Sequence, residues 1–279
     1  MPVSLIAVDV DGTLINSDGR VTERTKAAFR DAYAAGIRLA LATGRARDEC
    51  RGILRELPEV RYMVNCSGAS VYDIDRGLEL YADPIPIEDV RRFYRLLEPL
   101  GSMFEVFAEG RVLTDYRRLA ELPEYHNHYY LEIIQSSRTP IDLPAFLESR
   151  TEPLSKIHLY FRCEADQLKA RALVEDSGFL VLNSIKENLE INQPTVSKGV
   201  GLAELANALD IPLSEVMAIG DNTNDIGMLQ TAGYAAVVGN GHPEAIRNAQ
   251  YLLPSCDDDG VASAIRHILD GNLEALRKV

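Results

Sequence analysis

Short apolar segments that alternate with amphipathic segments constrain the fold of this chain more than any other feature. Residues 3–8 and 37–42 are apolar runs of strand length, and residues 61–65 form a third. Residues 25–35 have helical spacing and stop at Gly36, a residue type that commonly ends helices. Apolar strands that alternate with helices predict a parallel sheet covered on both faces. We therefore expect an α/β fold.

This alternation stops near residue 83 and returns near residue 197. Residues 103–107 and 111–115 are short apolar segments that flank a Glu-Gly turn, a pattern typical of a β-hairpin. Further strand-like segments at turn-length spacing favour an antiparallel sheet backed by helices. We expect residues 1–83 and 191–279 to form a Rossmann-like, doubly wound parallel-sheet core, and residues 84–190 to form an inserted α+β domain.

The overall charge excludes several classes of partner. The chain has 29 Lys and Arg residues against 42 Asp and Glu residues, a net charge of −13. Such a chain repels nucleic-acid backbones and anionic lipid headgroups, so we expect neither nucleic acid nor a membrane as a partner. A small phosphorylated substrate remains compatible, because a bound cation reverses the local sign of the charge.

Cysteine spacing and hydropathy indicate the compartment. The 4 cysteines are far apart and form no CxxC pair, so we expect reduced thiols. No apolar run approaches the ~18 residues that a membrane-spanning helix needs. These features predict a cytoplasmic protein, and they leave open whether it is a monomer or a homodimer.

Side chains with catalytic or ligand-binding chemistry cluster at predicted strand ends and helix starts. In an open parallel sheet, ligands bind beyond the carboxyl ends of the strands. The residues at such positions are Asp9, Asp11, Thr43, Gly44, Asp221, Asn224 and Asp225, with Lys198 at the start of a helix. Each of the short motifs that contain these residues has an ordinary structural explanation by itself, such as an Asp-Gly turn or a helix cap. Their occurrence together at strand ends and helix starts favours a functional site.

This set of side chains suits phosphoryl transfer through the protein itself. A carboxylate oxygen can attack phosphorus and form an aspartyl-phosphate. Several neighbouring carboxylates favour Mg²⁺, a hard cation that prefers oxygen ligands and offsets their mutual repulsion. Thr43, Lys198 and backbone N–H groups at helix starts can hold the phosphate oxygens.

Four motifs carry a family resemblance. They occur in the order DVDGT, TGR, the lysine of LEINQPTVSKGVGL, and GDNTND. In this order they resemble the four motifs of the haloacid dehalogenase superfamily. The insert and the approach to the motif lysine resemble the Cof-type sugar-phosphatase branch, which has an α/β cap. The resemblance implies that residues 84–190 form a cap domain that sets substrate specificity.

The resemblance also implies a role for each matched residue. Asp9 would be the nucleophile, and Asp11 the general acid that protonates the leaving alcohol and then the base that activates water. Mg²⁺ would be held by the Asp9 carboxylate, the Asp11 backbone carbonyl and Asp221. Asp225 would either bind the metal ion as an additional ligand or contact the metal-binding residues without binding the ion itself. The implied phosphate-binding residues are Thr43, Gly44, Lys198 and Asn224.

Two segments stand apart from this assignment. Many relatives end the third strand with Asn-Gly-Ala, whereas residues 65–69 read Asn-Cys-Ser-Gly-Ala, two residues longer. We assign these residues no catalytic role. His126 and His128 lie in the insert without acidic or cysteine neighbours, so we expect no metal site there and, at most, substrate contact.

The sequence leads to one main hypothesis and two alternatives. The main hypothesis is a Mg²⁺-dependent phosphatase that acts on a small phosphorylated metabolite, either a sugar phosphate or a cofactor such as pyridoxal phosphate or flavin mononucleotide. A phosphomutase that uses the same aspartyl-phosphate and a non-enzymatic phospho-ligand sensor are the alternatives. The complete motif set speaks against the sensor, and the lack of GxxxxGK[ST] speaks against a P-loop nucleotide enzyme.

Overall fold

The computed structural model describes residues 3–125, 137–183 and 185–278, which divide into two compact units. The core unit consists of Met1–Arg45, Cys50–Ala82 and Ser197–Val279, and the insert unit of Ala46–Glu49 and Asp83–Val196. His126 and His128 lie outside the described residues. The role of the insert unit as a cap stays a prediction.

The described residues form the following elements, in chain order. The strands are β1 (Leu5–Val8), β2 (Arg38–Ala42), β3 (Tyr62–Asn65), β4 (Ser70–Asp73), β5 (Leu78–Ala82), β6 (Met103–Ala108), β7 (Arg111–Asp115), β8 (Arg138–Ile141), β9 (Lys156–Tyr160), β10 (Leu180–Leu182), β11 (Asn188–Asn192), β12 (Val216–Gly220), β13 (Tyr234–Val237), β14 (Tyr251–Leu252) and β15 (Arg277–Lys278). The α-helices are α1 (Glu23–Ala34), α2 (Arg51–Glu56), α3 (Ile87–Leu97), α4 (Tyr116–Ala120), α5 (Leu143–Ser149), α6 (Glu164–Val174), α7 (Lys198–Ala208), α8 (Ile226–Thr231), α9 (Pro243–Arg247) and α10 (Gly260–Leu269).

The core unit contains a mixed sheet whose central strands are parallel. Its described strands follow the order β15-β14-β13-β12-β1-β2-β3-β4-β5. β1 pairs in parallel with both β2 and β12, while β4, β5 and β15 are antiparallel additions towards the edges. Because the strand order runs outward from β1 in both directions, the sheet is doubly wound and β1 lies at its switch point. The predicted α/β class is confirmed.

Both faces of this core sheet are buried, as its continuous apolar strands predict. In β1, Ile6 and Val8 belong to one apolar cluster, and Leu5 and Ala7 belong to another. The first cluster includes side chains of α1, and the second includes side chains of α7. Helices therefore cover both faces of the sheet. In the part of the chain that the structure describes, no helix is both long and apolar enough to cross a bilayer.

The insert unit contains a second sheet with the strand order β10-β11-β9-β6-β7-β8. Its neighbouring strands are antiparallel except for β7 and β8, which are parallel. Along β11, Leu189 and Ile191 join an apolar cluster with side chains of α3, α5 and α6. Successive side chains of a strand point to opposite faces, so Asn188, Glu190 and Asn192 lie on the other side. We call that side the polar face of the insert sheet.

Arg138 on β8 is the centre of a buried ionic network in the insert unit. Its Nε donates to Glu105 Oε1 at 2.8 Å, one Nη donates to Glu105 Oε2 at 2.9 Å, and the other Nη pairs with Glu49. His158 Nδ1 lies 3.3 Å from Glu105 Oε2. Burial by itself would raise the pKa of Glu105, but Arg138 and His158 lower it to about 2. The stability that this pairing supplies is therefore present at neutral pH and is lost on acidification towards pH 2.

We expect Arg138→Met to lower the free energy of unfolding by about 3–5 kcal/mol, because Glu105 and Glu49 would stay buried without their cation. Urea unfolding at neutral pH measures the change. Arg92→Met is the matched control, since Arg92 pairs with Asp89 at 3.2 Å while its side chain is 54% exposed. We expect a loss of less than about 1 kcal/mol for the control. Equal losses in the two variants would contradict the network's role in stability.

Candidate active site

The candidate catalytic residues follow the strands around the centre of the core sheet. Asp9 directly follows β1, Thr43 follows β2 and Asp221 follows β12. Because β2 and β12 flank β1 in parallel, the three strand ends lie side by side at one edge of the sheet. Lys198 is the first residue of α7. The parallel topology thus brings together residues that are far apart in the sequence.

The Lys198 ammonium lies between two buried carboxylates. Its Nζ donates to Asp9 Oδ1 and to Asp225 Oδ1, each at 2.6 Å. Lys198 is 2% exposed, Asp9 5% and Asp225 0%. Burial by itself would lower the pKa of Lys198, but Asp225 and Asp9 outweigh burial and raise this pKa above its usual value. Lys198 is therefore a fixed positive charge beside Asp9.

Asp225 also orients the backbone beyond β12. Its Oδ2 accepts hydrogen bonds from the N–H groups of Asp221 at 2.9 Å and Asn222 at 3.0 Å. The Asn222 side chain in turn accepts from the next N–H at 2.7 Å, so the GDNTND segment is a capped turn. A Cβ at Gly220 would lie 2.6 Å from the Asp225 carboxyl carbon, so glycine is needed there.

The DGT loop after β1 holds Asp221. Thr13 Oγ1 donates a hydrogen bond to Asp221 Oδ1 at 3.1 Å. Gly12 has a φ of +81°, and a Cβ on it would lie 2.7 Å from Asp221 Oδ2. Glycine is therefore required for the left-handed backbone and for the close approach. The motif alone predicted a turn here, whereas the contact of Thr13 with Asp221 emerges only from the structure.

Three carboxylates at this edge could hold a divalent cation. One oxygen of each of Asp9, Asp221 and Asp225 lies within 4.8 Å of the other two. Burial raises the pKa of Asp9 well above its usual value despite Lys198, and burial and Asp225 raise the pKa of Asp221 to about 6. When all three are ionised, these carboxylates carry more negative charge than the single Lys198 ammonium offsets. Carboxylate oxygens with this charge excess fit a hard divalent cation such as Mg²⁺.

The Asp11 carboxylate is paired with Arg45. Arg45 Nε donates to Asp11 Oδ2 at 2.9 Å, and one Nη of Arg45 donates to Asp11 Oδ1. Such a bidentate pair stabilises the ionised carboxylate. A proton on the Asp11 carboxyl would therefore weaken this pair. Arg45 is part of the TGR motif, but the sequence did not assign it a role, because nothing local pairs it with Asp11.

The remaining phosphate-binding candidates occupy two loops. Thr43 is 1% exposed, and its Oγ1 accepts a hydrogen bond from the Arg45 N–H at 3.2 Å. Gly44 lies between them and is half-buried, while Asn224 is exposed in the turn beyond β12. The structure places Thr43 and Gly44 after β2 and Asn224 near Asp221, and their contact with phosphate stays a prediction.

The longer turn after β3 supports the TGR segment. Cys66, Ser67 and Gly68 have positive φ angles of 53°, 62° and 104°. The Cys66 N–H donates to the Arg45 carbonyl at 3.0 Å, and the Ser67 N–H donates to the Thr43 carbonyl at 3.1 Å. Left-handed residues of this kind are found where the surrounding structure requires them. Cys66 and Ser67 therefore donate hydrogen bonds to the backbone on both sides of Gly44.

Comparison with known proteins identifies the family. Residues 6–265 match the family of haloacid dehalogenase-like hydrolases. The chain therefore belongs to the haloacid dehalogenase superfamily, in its Cof-type branch. It is a phosphoric monoester hydrolase, as this family and its relatives named phosphatases show.

Relatives and solved structures match nearly the whole chain. The Bacillus subtilis phosphatase YwpJ is 29% identical over 96% of this chain and 100% of its own length. The 5-amino-6-(5-phospho-D-ribitylamino)uracil phosphatase YcsE of the same organism is 25% identical over 95% of each chain. A haloacid dehalogenase-like hydrolase from Bacteroides thetaiotaomicron matches with a TM-score of 0.83 at 23% identity, over 95% of this chain and 98% of that chain. The last similarity shows the shared fold.

We expect Gly68→Ala to destabilise the core unit and to lower activity, because the new Cβ would lie 2.0 Å from the Ser197 carbonyl oxygen, next to Lys198. Gly19→Ala is the matched control, since Gly19 also has a positive φ, of 73°, but no atom within 4 Å of the added Cβ. The control should lose only the ~1–2 kcal/mol of a left-handed alanine. Urea unfolding and phosphate release measure both variants, and equal losses would contradict a requirement for close approach at Gly68.

We expect stabilisation by MgCl₂ to grow as the pH rises through about 6, the pKa of Asp221. The pKa of Asp221 is higher in the folded protein than in an unfolded chain, so protonated Asp221 stabilises the metal-free protein at low pH. This stabilisation is lost as the pH rises through about 6. A bound cation favours the ionised carboxylates and restores stability there. Melting temperatures in MgCl₂ and in EDTA between about pH 5 and about pH 8 measure the effect. The Asp221→Asn variant should lose this pH dependence. If MgCl₂ stabilised the wild type equally at all pH values, the prediction would be contradicted.

Proposed function

We propose that this protein hydrolyses small phosphate monoesters through an aspartyl-phosphate on Asp9. The observation that carries the proposal is the placement of Asp9, which is buried after the central strand β1 and held by Lys198 Nζ at 2.6 Å. Asp221 belongs to the same carboxylate cluster, and Asp11 lies two residues after Asp9. Phosphatase relatives that match almost the whole chain support the proposal.

In the first step, an Asp9 carboxylate oxygen attacks phosphorus, and the bond between phosphorus and the leaving oxygen breaks. Asp11 donates a proton to the leaving oxygen, which departs as an alcohol. Lys198 donates hydrogen bonds and offsets the negative charge that spreads over the phosphate oxygens. The other groups proposed to hold these oxygens are Thr43, Gly44 and Asn224.

In the second step, a water molecule attacks the phosphorus atom of the aspartyl-phosphate, and Asp11 accepts a proton from this water. The bond between phosphorus and the Asp9 oxygen breaks, which releases inorganic phosphate and restores the Asp9 carboxylate. The pairing of Arg45 with Asp11 suits this step, because it stabilises Asp11 as the ionised base. Asp11 ends the turnover protonated, as it began.

Mg²⁺ is the proposed cofactor, held by the side chains of Asp9 and Asp221 and by the backbone carbonyl of Asp11. When bound, it supplies positive charge that offsets the carboxylates and the substrate phosphate. The grouping of the Asp9, Asp221 and Asp225 carboxylates supports this proposal, since three ionised carboxylates carry more negative charge than Lys198 offsets. The hydrogen bonds of Asp225 to Lys198 and to two backbone N–H groups favour an orienting role for Asp225 over direct ligation.

The proposed substrate is a small phosphorylated metabolite, either a sugar phosphate or a phosphorylated cofactor. One relative is named for 5-amino-6-(5-phospho-D-ribitylamino)uracil, so this compound belongs in the test panel. The net charge of −13 speaks against nucleic acid and anionic membranes as partners. The insert unit is proposed to act as the cap that selects the leaving group. Free cysteines at all 4 positions support the proposed cytoplasmic location.

Phosphate release from p-nitrophenyl phosphate, sugar phosphates, cofactor phosphates and 5-amino-6-(5-phospho-D-ribitylamino)uracil tests the proposal, with MgCl₂ and with EDTA. We expect release to need MgCl₂, and Asp9→Asn to lower kcat at least about 1,000-fold because an amide is not a competent nucleophile. Asp18→Asn, in an exposed position, is the control and should retain activity. Phosphate exchange between positions of a sugar with little release would favour a phosphomutase, and binding without turnover would favour a sensor.

Asp11→Asn separates the two chemical steps. The p-nitrophenolate group leaves without a proton, so Asp9 should still be phosphorylated, whereas the attacking water loses its base. We expect a rapid burst of p-nitrophenolate stoichiometric with the protein, followed by turnover about 100- to 10,000-fold slower than in the wild type. Rapid-quench measurements resolve both phases. A steady rate equal to that of the wild type would contradict the base role of Asp11.

A further inference from the structure

A loop outside the four family motifs contacts the backbone of the candidate site. Residues 239–242 join β13 to α9 within the core unit. Asn240 Nδ2 donates a hydrogen bond to the Gly12 carbonyl at 2.8 Å, and the His242 N–H donates to the Asp221 carbonyl at 2.7 Å. Because β13 pairs in parallel with β12, this loop follows its strand at the same edge of the sheet as the candidate site. It therefore holds the DGT segment and the GDNTND segment at once.

The carboxamide of Asn240 is held at both ends. Its Oδ1 accepts a hydrogen bond from the Cys256 N–H at 2.9 Å, while its Nδ2 donates to the Gly12 carbonyl. An N–H can only donate and a carbonyl can only accept, so the two partners fix which end of the carboxamide faces which way. The side chain is thus oriented by the protein, although Asn240 is exposed.

Gly12 has a conformational freedom that this hydrogen bond restrains. Its φ of +81° and its close approach to Asp221 require glycine, but glycine is also the residue with the most backbone freedom to lose. The peptide unit of the Gly12 carbonyl continues into Thr13, which donates to Asp221 Oδ1. The peptide unit before Gly12 carries the Asp11 carbonyl. A restraint on the Gly12 carbonyl therefore acts on both neighbours.

We propose that Asn240 is a positioning residue for the divalent-cation site and acts through the backbone of Gly12. It would order the loop that carries the Asp11 carbonyl, a proposed ligand, and Thr13, which holds Asp221. The inference rests on the proposed Mg²⁺-dependent function and adds a residue that the motifs do not contain. A loop that is ordered before the cation arrives pays less conformational entropy on binding, so the affinity for the cation is higher.

Calorimetric titration of the full-length protein with MgCl₂ or CaCl₂, without substrate, tests the inference. We expect Asn240→Ala to raise the Kd for Mg²⁺ about 10- to 100-fold, as the loss of groups that orient metal ligands does. The Kd for Ca²⁺ should rise at least about threefold less, because Ca²⁺ accepts variable coordination whereas Mg²⁺ demands near-ideal octahedral geometry. A general loss of folded protein would weaken the binding of both cations equally.

Asn248→Ala is the matched control, since the Asn248 carboxamide also makes a hydrogen bond at each end. Its Nδ2 donates to the Glu244 carbonyl at 2.9 Å, and its Oδ1 accepts from Gln230 Nε2 at 2.8 Å. Neither partner belongs to the candidate site. Asn248 is half-buried and Asn240 is exposed, so the control should lower Tm at least as much as Asn240→Ala does. It should leave the Kd for each cation within about twofold of the wild-type value.

Three results would overturn the inference about Asn240: an unchanged Kd for Mg²⁺ in Asn240→Ala, equal rises for Mg²⁺ and Ca²⁺, or an equal rise in the Asn248→Ala control. A wild type that binds no Mg²⁺ would overturn both this inference and the proposed cofactor. Failure of the phosphatase function is a different result, since the wild type would then bind Mg²⁺ but release no phosphate from any substrate. The binding data would still decide the role of Asn240 in that case.

Discussion

The candidate active site depends on the Lys198 ammonium, which joins two carboxylates from different segments of the chain. It holds Asp9 at the end of β1 and Asp225 in the turn beyond β12, and all three groups are buried. Without this cation, two buried negative charges would repel each other where the dielectric constant is low. The same contact orients Asp9, the proposed nucleophile, while burial and Asp225 raise the pKa of Asp221 to about 6.

Close approach of loop backbones gives the site its geometry. A Cβ at Gly12 would meet the Asp221 carboxylate, and a Cβ at Gly68 would meet the Ser197 carbonyl beside Lys198. The parallel strands bring these loops to one edge of the sheet, and glycine lets them come within hydrogen-bond distance of one another. The candidate catalytic side chains and the glycines beside them are therefore both required for the arrangement.

The insert unit uses buried charge in a different way. Arg138 is paired with two carboxylates, so each of these carboxylates has a cationic partner. Such networks add little net stability compared with apolar packing, but the loss of one member is strongly unfavourable. One of the two carboxylates is Glu49, which follows the TGR motif in the sequence. The segment that carries Glu49 forms a 3-10 turn at Arg47–Cys50 and then α2. The Asp48 N–H donates to the Gly110 carbonyl at 2.9 Å.

Much of the fold was determined by the sequence itself, because apolar periodicity and turn residues are local properties. They predict the parallel core, the hairpins of the insert and the loops that carry the DGT and GDNTND motifs, but not short, weakly periodic elements such as β8 and β14. Only the tertiary structure decided the pairing of Arg45 with Asp11, of Thr13 with Asp221 and of Arg138 with Glu105. Each pairing joins residues from separate elements, so it depends on strand order, register and packing, which no local stretch of sequence contains.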